Sequence, residues 1–408
     1  MIQYSSFQVE DLGDLAEIIP AQEPELKVVV NRVPVVQGQE SIIPVCEPTL
    51  GGNEERYLLE CVRTNWISSA GSFITRFERM FADFCGTRYA VSCTSGTTAL
   101  QLALYTLGIQ AGDEVIIPSF TMVATANTVR HCGATPVFVD SESRTWNVDP
   151  AKIKAAITPR TRAIVPVHTY GHPADMDAIL ELARKHGLLV VEDASEAHGA
   201  RYKGRRVGSL GDCACFSFYA NKIITTGEGG MITTDDEEFA TKAKNIRDHA
   251  FSKERHFWHR ALAHNFRMTN MQAAVGVAQM ERSDWLVQRR IDNAMLYNAR
   301  LGRLKGIVLP PATEGVKNVY WMYSILIDEE FGHTRDAVRR YLADRAIETR
   351  SFFVPMHLQP IYHRREYLGR FPVSEMLCRK GFYLPSSASL TEENIDFVCS
   401  QIEALARQ

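Results

Sequence analysis

No apolar run in this sequence is long enough to cross a bilayer. Its longest, Leu188 to Val191 and Tyr320 to Ile327 with Ser324 inside it, fall well short of the roughly 20 residues that a spanning helix needs. The N-terminus has no basic region leading into an apolar core. Glu10, Asp11, Asp14 and Glu17 stand where a secretory signal would have that core, so a cytoplasmic protein without membrane contact is expected. Cysteine is sparse and odd in number, nine in 408 residues, and its one close pair, Cys213 and Cys215, matches no zinc or CxxC spacing. Reduced, mostly buried thiols are expected, and no metal. An excess of charge is missing too: 45 Lys and Arg against 48 Asp and Glu leave a formal charge of −3, which excludes a dedicated nucleic-acid binder. There is no Gly-x-Gly-x-x-Gly after the first strand and no Walker-type Gly-Lys-Ser/Thr loop, which removes support for dinucleotide and nucleotide-triphosphate folds.

What is present is ordinary for a folded chain: 45% hydrophobic and 23% charged residues. At about 150 residues per domain, the length predicts two or three domains, or one large core with an appendage. Residues 1–41 have no helical period and read as an extension of unknown role. After them Asn53 can cap a helix carrying Tyr57, Leu58 and Cys61, and a second helix puts Phe73, Phe77, Phe81 and Phe84 on one face before stopping at Gly86. Strands then alternate with helices. Tyr89 to Cys93, Glu114 to Pro118, Thr135 to Val139, Arg162 to Val167, Leu188 to Glu192, Cys213 to Phe218 and Gly230 to Thr234 read as strands. Helices at Thr97 to Leu107, Val123 to His131 and Asp175 to His186 separate them. Fully apolar strands between amphipathic helices predict an α/β fold over residues 42–290 with a mainly parallel central sheet flanked by helices. Residues 291–408, with a strand at Tyr323 to Ile327 and a terminal helix from Glu392 to Arg407, predict a smaller C-terminal α+β domain.

Three constellations bear on function. Thr94-Ser95-Gly96-Thr97-Thr98 lies between a strand and a helix, where small and hydroxyl residues leave backbone N–H groups open to a phosphate; a capped turn without a ligand reads equally well. Asp193 stands at the C-terminal end of a buried strand, where open α/β sheets bind ligands. A carboxylate there can meet a metal, a ribose hydroxyl or a protonated ring nitrogen, or merely cap the next turn. Lys222 sits between an apolar strand and the Gly-rich turn Gly227 to Gly230, where desolvation depresses a lysine pKa and prepares it for a Schiff base; a surface lysine in a hairpin is the plain alternative. Taken together, a phosphate cradle, a carboxylate for a pyridinium nitrogen and a lysine for an aldehyde are the parts that pyridoxal phosphate requires.

In order and wording these segments resemble the sugar aminotransferases of the DegT/DnrJ/EryC1/StrS family, of aspartate aminotransferase fold type I, over roughly residues 42–408. The resemblance implies a pyridoxal 5'-phosphate enzyme in which Lys222 forms the Schiff base and shuttles a proton, while Asp193 keeps the pyridine nitrogen protonated. It places Gly96, Thr97 and the Ser217 hydroxyl on the phosphate, Glu196 near the phenolic oxygen and Met122 on the ring face. It also brings Asn265 to the phosphate from a partner subunit, which makes the active unit a homodimer with shared sites. Two positions depart from the family pattern. Glu196 stands where many members carry glutamine, although perosamine-forming members also read Glu, and Met122 stands where an aromatic residue usually stacks.

Within the family the wording is nearest to the branch that moves an amino group from glutamate to C4 of the nucleotide sugar GDP-4-keto-6-deoxymannose. The shared words include Ile43-Pro44-Val45-Cys46-Glu47-Pro48, Asn65-Trp66-Ile67-Ser68-Ser69 and Ile347-Glu348-Thr349-Arg350. Other keto sugars, UDP- or dTDP-linked and aminated at C3 or C4, stay open. A dehydratase branch of the same fold has histidine at the lysine position, and Lys222 argues against it. By resemblance Trp66, Ser68, Tyr320, Trp321 and His357 line the sugar-nucleotide pocket, and Arg267 anchors a carboxylate or phosphate or is structural. Two other classes compete. A metal-dependent lyase needs Asp193, His168 and His198 to be brought together, and a non-enzymatic protein of the same fold is discouraged by the joint presence of Lys222 and Asp193.

Overall fold

The computed structural model describes residues 42–252, 254–255 and 257–408, so the extension expected at residues 1–41 lies outside the described residues, as do Lys253 and His256. Two helices come first, α1 (Glu54–Thr64) and α2 (Ser72–Cys85). On α2 the apolar stripe is the expected one: Phe73, Phe77 and Phe81 are buried, and Gly86 ends the helix at φ 77°, which glycine adopts without a Cβ clash. Asn53 does stand at the cap position of α1, but its side chain donates to Glu281 Oε2 at 2.7 Å instead of capping the helix.

Strand and helix then alternate through β1 (Tyr89–Cys93), α3 (Gly96–Thr106), β2 (Glu114–Pro118), α4 (Val123–His131), β3 (Thr135–Val139), α5 (Pro150–Ala156), β4 (Thr161–Ile164), α6 (Met176–His186) and β5 (Leu189–Asp193). A short ribbon of β6 (Arg201–Tyr202) and β7 (Arg205–Arg206) leads into β8 (Cys213–Ser217) and β9 (Gly230–Thr234). The longer strands form one seven-stranded sheet in the order β1-β9-β8-β5-β4-β2-β3. Neighbours from β3 to β8 pair in parallel, while β9 is antiparallel to both β8 and β1, so β1 runs with the rest. Every residue of β2 is buried, as a strand covered by helices on both faces must be. The fourth strand stops at Ile164, short of the expected Val167, because Pro166 has no N–H to continue the ladder.

The chain continues through α7 (Glu237–Arg247), α8 (Asn270–Met280) and α9 (Ser283–Leu301) to a second sheet. There β10 (Ile307–Val308), β12 (Tyr323–Ile327), β14 (Gly381–Leu384) and β13 (Arg350–Ser351) lie side by side and antiparallel, while β11 (Val316–Lys317) joins the β6–β7 ribbon. With α10 (Arg335–Ala343) and α12 (Glu392–Ala406) this sheet encloses its own core of Tyr297, Tyr323, Leu342, Phe382, Ile395 and Ile402. The last helix of the fold to be placed, α11 (Pro372–Lys380), runs directly into β14. The expected domain boundary near residue 290 falls inside α9. That helix serves both cores, Leu286 and Val287 packing into the large one and Ala294, Tyr297 and Leu301 into the small one.

A strap ahead of α1 ties the two parts together: Ile43 pairs with Ile347, Ser386 N–H donates to Val45 O at 2.9 Å, and the Cys46 thiol donates to Asn221 O at 3.2 Å. None of the nine cysteines forms a disulfide, and only Cys46 and Cys132 are not fully buried. Among the described residues no helix is long and apolar enough to cross a membrane.

Candidate active site

The C-terminal ends of β1, β2, β5 and β8 meet on one edge of the large sheet, and the turns that leave them enclose a cavity of about 400 Å³. Gly96, Thr97, Met122, Asp193, Glu196, Ser217 and Lys222, all singled out in the sequence, line it. Strand ends are where a parallel sheet presents unpaired backbone groups, which is why these residues converge there.

At one end lies the start of α3. Thr98 N–H donates to Ser95 Oγ at 3.1 Å and Ser95 N–H donates to Thr98 Oγ1 at 3.0 Å, a reciprocal cap. Two of the helix's first donors are thereby engaged, and the Gly96 and Thr97 N–H groups are left for a ligand at the cavity wall. A Cβ on Gly96 would lie 2.7 Å from Ser217 Cβ, so only glycine lets the helix end and the Ser217 hydroxyl close on the same place. Amide donors, a hydroxyl and the positive end of a helix suit a phosphate.

Asp193 is 5% exposed and fixed by two donors: Thr125 Oγ1 gives a hydrogen bond to Oδ2 at 2.8 Å and Ser195 N–H one to Oδ1 at 3.2 Å. Lys222 reaches the cavity from the turn after β8, its Nζ 3.6 Å from the centroid of the Trp321 ring. Burial holds its pKa below the usual lysine range, with the carboxylates of Glu196 and Asp193 and the thiol of Cys46 pulling the other way. Trp321 is itself held by its Nε1–H, which donates to Asn221 O at 2.8 Å. Glu196 accepts from Tyr170 N–H at 2.7 Å; burial pushes its carboxyl up to about 7 although Lys222 and that N–H oppose the rise. An aromatic wall faces the lysine: Trp321, Phe353 and Tyr383 line the cavity, and Tyr170 stacks behind Phe353 at 5.2 Å.

Thr125, Tyr170, Phe353 and Tyr383 escaped sequence reasoning. For Thr125 a signal existed, since Thr121 and Thr125 are four apart at a helix start and their hydroxyls lie 3.2 Å from each other. The aromatic residues are indistinguishable from core in a sequence, and Tyr170 is 3% exposed.

Other expected site residues are not brought to this cavity. His357 is 1% exposed, with Nδ1 2.7 Å from Ser119 Oγ, Nε2 3.2 Å from Glu375 Oε1 and its ring stacked on Phe371; burial pushes its pKa down to about 3. Tyr320 is buried in the small core, while its neighbour Trp321 lines the cavity. Trp66 and Ser68 are exposed on the segment after α1, where their carbonyls accept from the Asn270 side chain and N–H. Arg267 pairs with Asp248, and Asn265 is exposed on the adjoining strand-like segment. The lyase cluster does not form: His168 has Nε2 on Glu192 and Nδ1 accepting from Ala174 N–H, while His198 is enclosed by the rings of Phe81, Phe216 and Phe218. Among the described residues no group of three His, Cys, Asp or Glu is placed to hold a metal.

The residues at the cavity fit pyridoxal phosphate: an amide and hydroxyl cradle for its phosphate, Asp193 for its ring nitrogen and Lys222 for its aldehyde carbon. Comparison with known proteins agrees. The model of the DegT/DnrJ/EryC1/StrS aminotransferase family matches residues 48–403. The GDP-perosamine synthase of Caulobacter vibrioides is 50% identical over 363 residues, 88% of this chain and 97% of that protein. The GDP-perosamine synthase of Escherichia coli O157:H7 is 42% identical over 360 residues, again 88% and 97%. Among solved structures, Streptomyces venezuelae DesV in complex with a ketimine intermediate superposes with a TM-score of 0.82 at 37% identity, covering 87% of this chain and 95% of that one. With a family match across nearly the whole chain and Lys222 and Asp193 lining one cavity, the chain belongs to the DegT/DnrJ/EryC1/StrS family and is a pyridoxal-phosphate-dependent sugar aminotransferase.

Proposed function

We propose that this enzyme moves the amino group of glutamate to C4 of the nucleotide sugar GDP-4-keto-6-deoxymannose, forming GDP-perosamine, and that it works as a homodimer. The observation that carries the reading is that half of the positions are identical to the GDP-perosamine synthase of Caulobacter vibrioides over 97% of that protein's length. Bound pyridoxal phosphate supplies an aldehyde carbon and a ring that withdraws electrons. The chain's own part follows from its geometry. The first turn of α3 and Ser217 bind the phosphate, and Asp193 holds a proton on the ring nitrogen. Lys222 Nζ, whose pKa burial lowers, would take and return the proton on the carbon that carries the amino group. Trp321, Phe353 and Tyr383 cover the lysine and keep bulk water from it.

The homodimer reading has separate support. Phe257, Trp258 and Leu262 are 74%, 52% and 78% exposed close to Asn265 in the chain, and apolar exposure of that size marks a surface for a partner. Asn265 of one copy then reaches the phosphate end of the other copy's cavity.

The test is the visible spectrum of the purified protein before and after glutamate, followed by a panel of GDP-, UDP- and dTDP-linked keto sugars. The wild type is expected to convert its cofactor to the amine form with glutamate and to convert it back with the GDP sugar. Lys222→Ala is expected to stay folded and to lose turnover by at least about 10³-fold. Full activity in that variant, or conversion by another nucleotide sugar alone, sinks the reading. In a cofactor titration Asn265→Ala is expected to raise the dissociation constant about tenfold, as the loss of one hydrogen bond to a charged group does; an unchanged value counts against the shared site.

A further inference from the structure

Glu196, which the family resemblance puts near the cofactor's phenolic oxygen, has no proton-transfer task in this scheme, yet it is well placed for one. It lies in the same turn as Asp193, is 4% exposed and lines the same cavity as Lys222. Its carboxylate receives one hydrogen bond among the described residues, from Tyr170 N–H to Oε2, whereas Asp193 has a donor on each oxygen. Two donors favour the charged form of Asp193 more than a single donor favours that of Glu196. Glu196 Oε1 receives no hydrogen bond among the described residues, so the proton settles more readily on Glu196.

Lys222 presents the complementary problem. As an ammonium ion it neither attacks an aldehyde nor accepts a carbon-bound proton, and the carboxylates of Glu196 and Asp193 favour the ammonium form. We infer that Glu196 holds the proton that Lys222 must give up: Lys222–NH₃⁺ and Glu196–COO⁻ become Lys222–NH₂ and Glu196–COOH, and no proton has to leave the cavity. The exchange is balanced in charge and atoms and needs no further reactant. Burial acts on the pair in the same direction, disfavouring both charged forms at once.

The other charged and titratable groups around the pair are few. Asp193 acts on both members, and Cys46 acts on Lys222 from beside Asn221. Tyr219, Glu228 and Tyr383 line the cavity, and Tyr170 lies behind Phe353. His198, on the far side of the turn, is held neutral by burial, pushed down to about 3.

The inference rests on the pyridoxal-phosphate reading and is tested on the step before any sugar is involved. Cofactor-free protein is mixed with pyridoxal phosphate across a pH series, and covalent capture by Lys222 is followed by absorbance and by borohydride trapping. The wild type is expected to show two ionisations, the lower near 7 from Glu196. Glu196→Gln keeps an acceptor for Tyr170 N–H but cannot carry the proton. It is expected to lose the lower ionisation and to move the remaining midpoint down by about one pH unit, since a carboxylate that favours the ammonium is gone. Glu196→Asp is expected to keep both ionisations. An unchanged two-step profile in Glu196→Gln overturns the inference. Should that variant not fold, infrared difference spectra of the wild type decide: capture is expected to develop a protonated-carboxyl band, shifted by isotope-labelled glutamate, and no such band overturns it. A wild type that captures no pyridoxal phosphate removes the cofactor reading as well; normal capture with an unaltered profile removes only the role of Glu196.

Discussion

The two sheets meet the same cavity with different chemistry. The large one ends there in backbone amides, hydroxyls, the carboxylates of Asp193, Glu196 and Glu228 and a lysine, contributed by the turns after β1, β5 and β8. The small one contributes rings: Trp321 just before β12, Phe353 just after β13 and Tyr383 within β14. The difference follows from sheet type. Parallel strands all release their unpaired carboxyl-terminal ends on one edge, so polar groups gather there, whereas an antiparallel sheet offers side chains from its face. Reaction and enclosure are therefore supplied by separate cores, joined by α9 and by the strap at residues 43–46.

That division can be broken by two substitutions. Asp193→Ala removes the carboxylate proposed for the ring nitrogen and leaves the Thr125 hydroxyl without its acceptor; it is expected to lower kcat about 10³-fold with the fold retained, measured by steady-state kinetics beside circular dichroism. Phe353→Leu trims the wall alone. It is expected to raise KM for the nucleotide sugar about threefold to tenfold while kcat stays within a factor of about two, the size of one lost aromatic contact. Were Phe353→Leu to lower kcat as far as Asp193→Ala does, the small sheet would belong to the chemistry and the comparison would fail. A rise in KM without a fall in kcat for Asp193→Ala would reverse it.

Much of the fold was legible because its signals are local. The stripe of Phe73, Phe77 and Phe81, the stop at Gly86 and the apolar strands from Tyr89 to Thr234 depend on periods of a few residues, which neighbouring positions carry. Other positions are governed by a distant partner that no local period shows. Asn53 looks like a cap, but Glu281, 228 residues on, takes its side chain. His357 reads as a pocket histidine, yet Ser119, 238 residues earlier, and Glu375 occupy its nitrogens. The break at residue 290 reflects a change in composition, while the helix there runs on for 19 residues because each half has a core to bury against.

The site divides in the same way. Lys222, Asp193 and the Ser95-Gly96-Thr97 turn stand out in the sequence because each sits at a strand end with the residue types its task needs, a property of a few consecutive positions. By itself the sequence determined the alternation of strands and helices, the strand-end positions of those residues and the family to which the chain belongs. Tertiary structure alone decided that Thr125 would grip Asp193 from 68 residues away, that Tyr170 would present its N–H to Glu196, and that rings from the second sheet would close over Lys222. The reason is the strand order. With β9 inserted between β1 and β8, and β5 beside β8, residues far apart in the chain become neighbours, and no local period encodes which strand lies next to which.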